Sequence, residues 1–354
     1  MALTKTKKSV IDISSIIGGD SSQLQFNNNN SSFDGDLNLT WDNINKILNV
    51  SNINLNGRLL SPIQHRKNVI INGNFYVTQR GTIFSSVVNG TYTLDRWLFN
   101  TDTDDTVNIS QQEFALGQLQ VPDNPKYFMR TSIIAGTTGT YNQIHQPIES
   151  VFTLAGKTVT LSFYAKSSLT VNASASLQQV FGTTKSNEIE ENFTITTNWT
   201  KIVKTFNIPS ITGQIIDGID YLLLRLKLPI NTTVDIDIAN VQLEEGNTDT
   251  NFEEKTLGEE LELCQRYTVI RDWRCKFQVD WQIGYGYSQF FTFPVNMRST
   301  PSMSRTYTNV SGSPNVTIGT VTNNGFMMIF DQTSGGAIEH QAYGVYTADA
   351  EIYS

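Results

Sequence analysis

Two stretches fix the class of structure this chain can adopt. Val159, Leu161, Phe163 and Ala165 alternate with Thr158, Thr160, Ser162, Tyr164 and Lys166, and Leu222, Leu224, Leu226 and Leu228 alternate with Tyr221, Leu223, Arg225 and Lys227. A period of two places one set on a single face of a strand, whereas a helix would scatter it around the axis. Each stretch therefore reads as a strand with one buried face. Val234, Ile236 and Ile238 hold the same register until Ala239-Asn240, after which Val241 and Leu243 carry the apolar phase. That one-residue slip predicts a bulge.

The rest of the composition agrees. Charged residues are only 16% of the 354, and the polar remainder is drawn largely from Asn, Ser, Thr and Gln. Thr and aromatics suit pleated surfaces while Asn and Gly supply turns, so the chain reads as all-β. Its length allows two or three units at roughly 150 residues each. A net charge of −8 repels phosphate backbones, which argues against a nucleic-acid partner. The basic cluster Lys5–Lys8 reads either as a solvated tail or as a dock for an acidic partner. No run approaches the ~20 apolar residues of a membrane span, so no membrane insertion is expected. Asp12 interrupts Val10-Ile11-Asp12-Ile13 before a secretory core can form, and assembly in the cytoplasm is expected. Cys264 and Cys275 are too few for a disulfide framework and read as small buried groups.

Taken in order, residues 1–18 offer Ile11, Ile13, Ile16 and Ile17 in a polar setting that cannot form a core alone, as an anchor ordered by a partner would. Residues 19–60 carry short apolar beads between Asn and Gly turns. They can bury a face if three copies wind about a shared axis, giving a trimeric β stem; the alternative is a small appendage packed on its own chain. A linker at 61–67 leads to a sandwich over 68–255. In its opening stretch Phe75 and Trp97 read as core anchors, and Asp95 and Arg96 as a charge pair tying loop to sheet. Thr256-Leu257-Gly258-Glu259 is a capping box for a linking helix over 256–268, with Leu257, Leu261, Cys264 and Tyr267 on one face. Residues 269–354 read as a smaller antiparallel sandwich with strands at 288–295, 315–321, 325–330 and 341–352.

Several motifs carry a resemblance. Ile71-Asn72-Gly73-Asn74-Phe75, then Gln79-Arg80-Gly81 and Asp95-Arg96-Trp97, with Val241–Gly246 and Glu259–Tyr267 closing, resemble the carbohydrate-binding-module-like jelly roll of tailed-bacteriophage fibre and appendage proteins. Gln25-Phe26-Asn27, Phe33-Asp34-Gly35-Asp36 and Leu39-Thr40-Trp41-Asp42 with Asn45-Lys46-Ile47-Leu48 are similar to the stem repeats of such fibres. Phe293–Pro301 and Ala348–Glu351 resemble their tips. The resemblance implies a virion structural protein assembled in the host cytoplasm: a homotrimeric tail fibre, held to other virion proteins by its N-terminal segment, that contacts a host-surface glycan. It leaves open a capsid head fibre or decoration protein, and a polysaccharide depolymerase. Jelly rolls of this family hold calcium through an acidic residue after the opening turn and another in the closing strand. Tyr76 and Ala239 stand at those positions here, so neither metal nor other cofactor is assigned, with Asp235, Asp237 or loop carboxylates as the compensating candidates.

Catalytic motifs are absent from the sequence. His65, His145 and His340 are isolated from one another, and there is no nucleophile elbow, zinc-helix motif or phosphate-cradling loop. Asp102, Asp104 and Asp105, and Glu188-Ile189-Glu190-Glu191, read as solvated acidic turns rather than a glycosidase pair. The chain is expected not to be an enzyme, with no catalytic residue named. Sugar binding needs an aromatic face against the C–H face of a pyranose and polar groups for its hydroxyls. Within the aromatic tract 273–291, Trp281, Tyr285 and Tyr287, interspersed with Gly284 and Gly286, are the residues expected to be exposed for this purpose.

Overall fold

The computed structural model describes residues 23–28, 32–42, 47–50, 53–55, 58–60, 68–281, 286–311, 315–331 and 336–353; in the strands before residue 61, and at 277–281, 286, 310–311 and 336–340, the description stops at the backbone. Residues 1–66 and 67–354 form separate compact units. In the first, β1 (Gln23–Asn28), β2 (Ser32–Asp42) and β3 (Ile47–Val50) make an antiparallel sheet, and β4 (Ile53–Leu55) pairs with β5 (Arg58–Leu60). The expected anchor at 1–18 and linker at 61–67 lie outside the described residues, as do the side chains on which three-copy packing of 19–60 would rest.

The second unit begins with a jelly-roll sandwich. Its strands are β6 (Ile83–Phe84), β7 (Thr91–Tyr92), β8 (Leu98–Thr101), β9 (Thr106–Glu113), β10 (Tyr127–Ile134), β11 (Asn142–Glu149), β12 (Thr158–Ser167), β13 (Val171–Phe181), β14 (Ile189–Ile195), β15 (Thr200–Asn207), β16 (Asp220–Leu228) and β17 (Val234–Glu245). They form two six-stranded sheets, in the orders β15-β12-β17-β10-β9-β6 and β14-β13-β16-β11-β8-β7. The alternating residues of β12 and β16 face each other across one core with Phe75, Trp97, Ile109 and Ile236. Both rings of the Phe75–Trp97 pair are wholly buried, 5.5 Å apart.

The opening turn is stitched to the closing strand. Asn72, in the left-handed region at φ 57°, accepts the Trp97 indole N–H on its carbonyl and bonds Val77 through its amide. Val69 donates to the Leu243 carbonyl and Val241 to that of Gly73. A Cβ at Gly73 would run into the Val241 carbonyl, so glycine is required there. The bulge falls where the phase slip placed it: Ser162 pairs with Gln242 and Tyr164 with Ala239, and Asn240 adopts φ 52°.

Two local readings are corrected. Asp95 and Arg96 do not pair with each other. Asp95 accepts from the backbone and side chain of Gln79, while Arg96 turns the other way, to Glu351 and the Pro147 carbonyl. Adjacent residues around a turn point apart, so neighbours in sequence found partners far away. The helix α1 (Leu257–Gln265) has the full capping box at Thr256 and Glu259, yet it buries Glu260, Cys264 and Gln265 and leaves Leu257 exposed. Glu260 faces inward because its carboxylate takes the otherwise unsatisfied Asn72 N–H of the opening turn.

Beyond α1 follow β18 (Thr268–Trp281), β19 (Gly286–Thr292), β20 (Ser302–Ser311), β21 (Asn315–Thr322), β22 (Gly325–Asp331) and β23 (Gly336–Asp349), in two three-stranded antiparallel sheets ordered β18-β23-β20 and β19-β22-β21. β18 and β20 lie outside the four strands expected from the sequence of this region. The core between the sheets holds Val269, Trp273, Phe293, Phe326, Phe330 and Tyr346. This sandwich is seated on the jelly roll: Tyr267 and Ile352 cover Val180, Tyr221 and Leu223, and Arg266 forks onto Glu149.

Candidate functional site

The outer face of the β18-β23-β20 sheet carries an open groove. Register sets Asp272, Val345 and Thr306 in one row across it and Arg274, Tyr343 and Thr308 in the next. Alternation turns Trp273 of the intervening row into the core, where its ring lies 5.7 Å from Phe330. The row's central residue is Gly344, and a Cβ there would strike the Thr306 carbonyl. The backbones therefore approach closely, and the flanking side chains stand around a cavity of about 570 Å³.

The groove's chemistry follows from its lining. Tyr343 is 45% exposed on this outer face, and the Arg274 guanidinium lies 5.9 Å from its ring centre. An exposed aromatic face accepts the C–H side of a sugar ring; Thr306 and Thr308 offer hydroxyls, Arg274 donors and Asp272 an acceptor. The site is neither metal-like nor strongly charged.

The residues singled out from sequence lie elsewhere on the same sandwich. Trp281 ends β18 opposite Gly336, its side chain outside the described residues, as is Tyr285 altogether. Tyr287 sits on β19 in the other sheet, 37% exposed, stacked 6.1 Å from Phe330. It does not share a face with Tyr343. Tyr343 was missed because its strand shows weak contrast, Gln341, Tyr343, Val345 and Thr347 outward against Ala342, Tyr346 and Ala348 inward.

The acidic runs are engaged in holding loops. Asp104 accepts the N–H groups of Thr138 and Thr137, which hold its carboxyl down to about 2, and Asp102 accepts those of Thr140 and Tyr141. Glu188 and Glu190 both reach Lys227. His145 accepts from Asn100 and donates to Gln143 in a buried row; burial first, and then the positive Arg225, push its pKa down to about 3. The calcium positions do not fit the ion. Tyr76 and Ala239 supply no carboxylate, Asp237 is committed to a bidentate bond with Arg130 and to Lys166, and among the described residues no cluster of three metal-ligating side chains exists.

No family model matches the chain. No curated protein matches it either. Solved structures do. A family 11 carbohydrate-binding module from Clostridium thermocellum, in complex with a β-1,3-1,4-mixed-linked tetrasaccharide, is 12% identical over 48% of this chain and 98% of its own, at a TM-score of 0.31. A xylan-binding domain from Paenibacillus barcinonensis is 17% identical over 46% of this chain and 99% of its own, also at 0.31. The enzymatically active domain of tailspike protein 4 of bacteriophage CBA120 is 16% identical over 46% of this chain and 21% of its own, at 0.32.

Proposed function

We propose that this chain is a bacteriophage virion fibre that binds a host-surface glycan through its distal sandwich. The observation that carries the glycan reading is Tyr343, held exposed in the middle strand of a sheet between Arg274, Asp272 and two threonines over a backbone floor. This is the combination of apolar plate and hydroxyl partners that sugar recognition calls for. The fibre reading is supported by the stem and opening-turn motifs of the sequence. The chain acts as a homotrimer in this reading, fixed to other virion proteins by residues 1–18, and weak sugar contacts gain avidity by repetition. It binds without catalysis or metal.

The test uses the full chain. Fluorescently labelled protein is expected to decorate host cells and to lose them after their surface polysaccharide is stripped, and sedimentation should give a trimer. Protein found on the capsid, with cells left unlabelled, would favour a decorating role instead. Release of reducing sugar from host capsule would replace the binding role with that of a depolymerase.

A further inference from the structure

The two most exposed large apolar side chains among the described residues sit on one loop of the jelly roll. Leu116 is wholly exposed and Leu119 is 92% exposed, both between β9 and β10 in residues 114–126. A leucine left in water forgoes the stabilisation that burial supplies, so two on one loop point to a surface that covers them.

The loop is built to hold them outward. At its base the Phe114 N–H donates to the Lys126 carbonyl, and the Phe114 ring packs on Phe128 and Trp199 at 4.8 and 5.2 Å. A turn closed from the Gln118 N–H to the Ala115 carbonyl, with Gly117 at φ 76°, carries Leu116. The Gln118 side chain then accepts the Gln120 and Val121 N–H groups and donates to the Val121 carbonyl, and Val121 is buried. Leu119 is therefore held between residues fixed on both sides.

Beside the leucines the same loop has a hole. A cavity of about 550 Å³ has Phe114, Ala115, Leu116 and Pro125 among its walls, and Leu119 stands outside them. The space is ample for a leucine side chain, since an apolar cavity of ~150 Å³ already holds benzene.

Knob and hole on one surface narrow the occupant to a second copy. The knob of each copy enters the hole of the next, and about an axis such a contact closes into a ring. Charge favours the same partner. Copies of a chain at −8 repel one another, yet Asp123 and Lys126 are the only charges within 114–126 and they cancel. At the cavity Lys126 also meets Glu113 at 3.7 Å. Size agrees as well: two leucines cover only a fraction of the ~800 Å² per partner of a standard interface. Such a contact works between copies already held together elsewhere, where effective concentration offsets its weakness.

From this geometry we infer that Leu119 of one copy of this chain enters the cavity of loop 114–126 on the next copy. The inference rests on the reading that the chain assembles with copies of itself.

Full-length Leu119→Cys and Ala115→Cys chains carrying different tags, co-expressed and mildly oxidised, test it; Cys264 and Cys275 are buried and supply little background. A disulfide joining the two tags is expected, in a yield independent of protein concentration. The control pairs Ala115→Cys with Ile215→Cys. Ile215 is 77% exposed on the loop after β15, whereas loop 114–126 packs on Trp199 just before that strand, so the two lie at its opposite ends. That pair should give at least tenfold less disulfide. All three positions are exposed, so the thermal midpoints should match the parent. A trimer in sedimentation without the Leu119–Ala115 disulfide overturns the inference and leaves the trimeric reading standing. The disulfide in a chain that sediments as a dimer supports the contact and contradicts the trimer, and a monomer without it ends both. A yield that rises in proportion to concentration would mark chance collision and overturn the inference. So would binding of the parent chain to phosphatidylcholine vesicles that Leu119→Asp abolishes, because the leucines would then serve a lipid surface.

Discussion

The guanidinium of Arg96 is bonded to the carboxylate of Glu351, 255 positions along the chain, and both side chains are 1% exposed. Arg96 also donates to the Pro147 carbonyl at 2.6 Å and lies 3.5 Å over the Tyr267 ring, while Glu351 is shared with Arg80 at 3.3 Å. The jelly roll's opening turn thus grips the end of the C-terminal sandwich through charges held out of water. Removing Glu351 strands Arg96, whose carboxylate partner it is, whereas Glu351 without Arg96 keeps Arg80.

Glu351→Ala should therefore destabilise the unit by about 3–5 kcal/mol in denaturant unfolding. Replacing both, as Arg96→Met with Glu351→Leu, should cost much less, because no unpaired charge is left behind. Equal losses for the single and double variants would mean that packing, not charge, is what the pair supplies.

Gly73→Ala should cost about 3 kcal/mol, since its Cβ meets the Val241 carbonyl of a strand that has no room to move. Gly258→Ala is the contrast: open space surrounds it within α1, and a gain of about 0.5–1 kcal/mol is expected from helix propensity and the loss of unfolded-state freedom. Thermal unfolding of the two variants should move in opposite directions.

Acid should weaken the jelly roll before its carboxylates titrate. The His145 pKa is lowered from 6.5 to about 3 in the fold, by burial and by Arg225, so below pH 6.5 the unfolded chain takes up a proton that the folded chain refuses. Stability contributed by the neutral ring is complete above pH 6.5 and drains as pH falls, by on the order of 4 kcal/mol near pH 3. His145→Gln should flatten the slope between pH 6.5 and 5, measured as unfolding free energy at each pH. An unchanged slope would contradict the assignment.

The sequence made some of this legible and hid the rest for physical reasons. Alternation in β12 was readable because one face is apolar and the other more polar, and the slip at Ala239-Asn240 marked the bulge because a single residue reverses the phase; β16 buries both faces at Tyr221 and Leu223, because Tyr267 and Ile352 pack on the side that alternation left outside. β18 was obscured: Arg271 and Asp272 stand beside each other between Val269 and Trp273, breaking the contrast. Helical spacing put Leu257 inside, yet a polar demand at Asn72 turned Glu260 inward instead. Tyr343 had no signature of its own. Its exposure depends on Gly344 and on two strands from earlier in the chain; only the assembled sheet β18-β23-β20 brings Arg274, 69 residues before it, and Thr308, 35 residues before it, to its sides.

The most direct measurement is calorimetric titration of the full chain and of Tyr343→Ala with the oligosaccharide released from the host surface. The expected result is saturable binding by the parent, weakened about tenfold or more in the variant, because truncation removes the apolar face on which the sugar ring rests. Equal affinity in both proteins, or no heat in either, would contradict a glycan site at Tyr343.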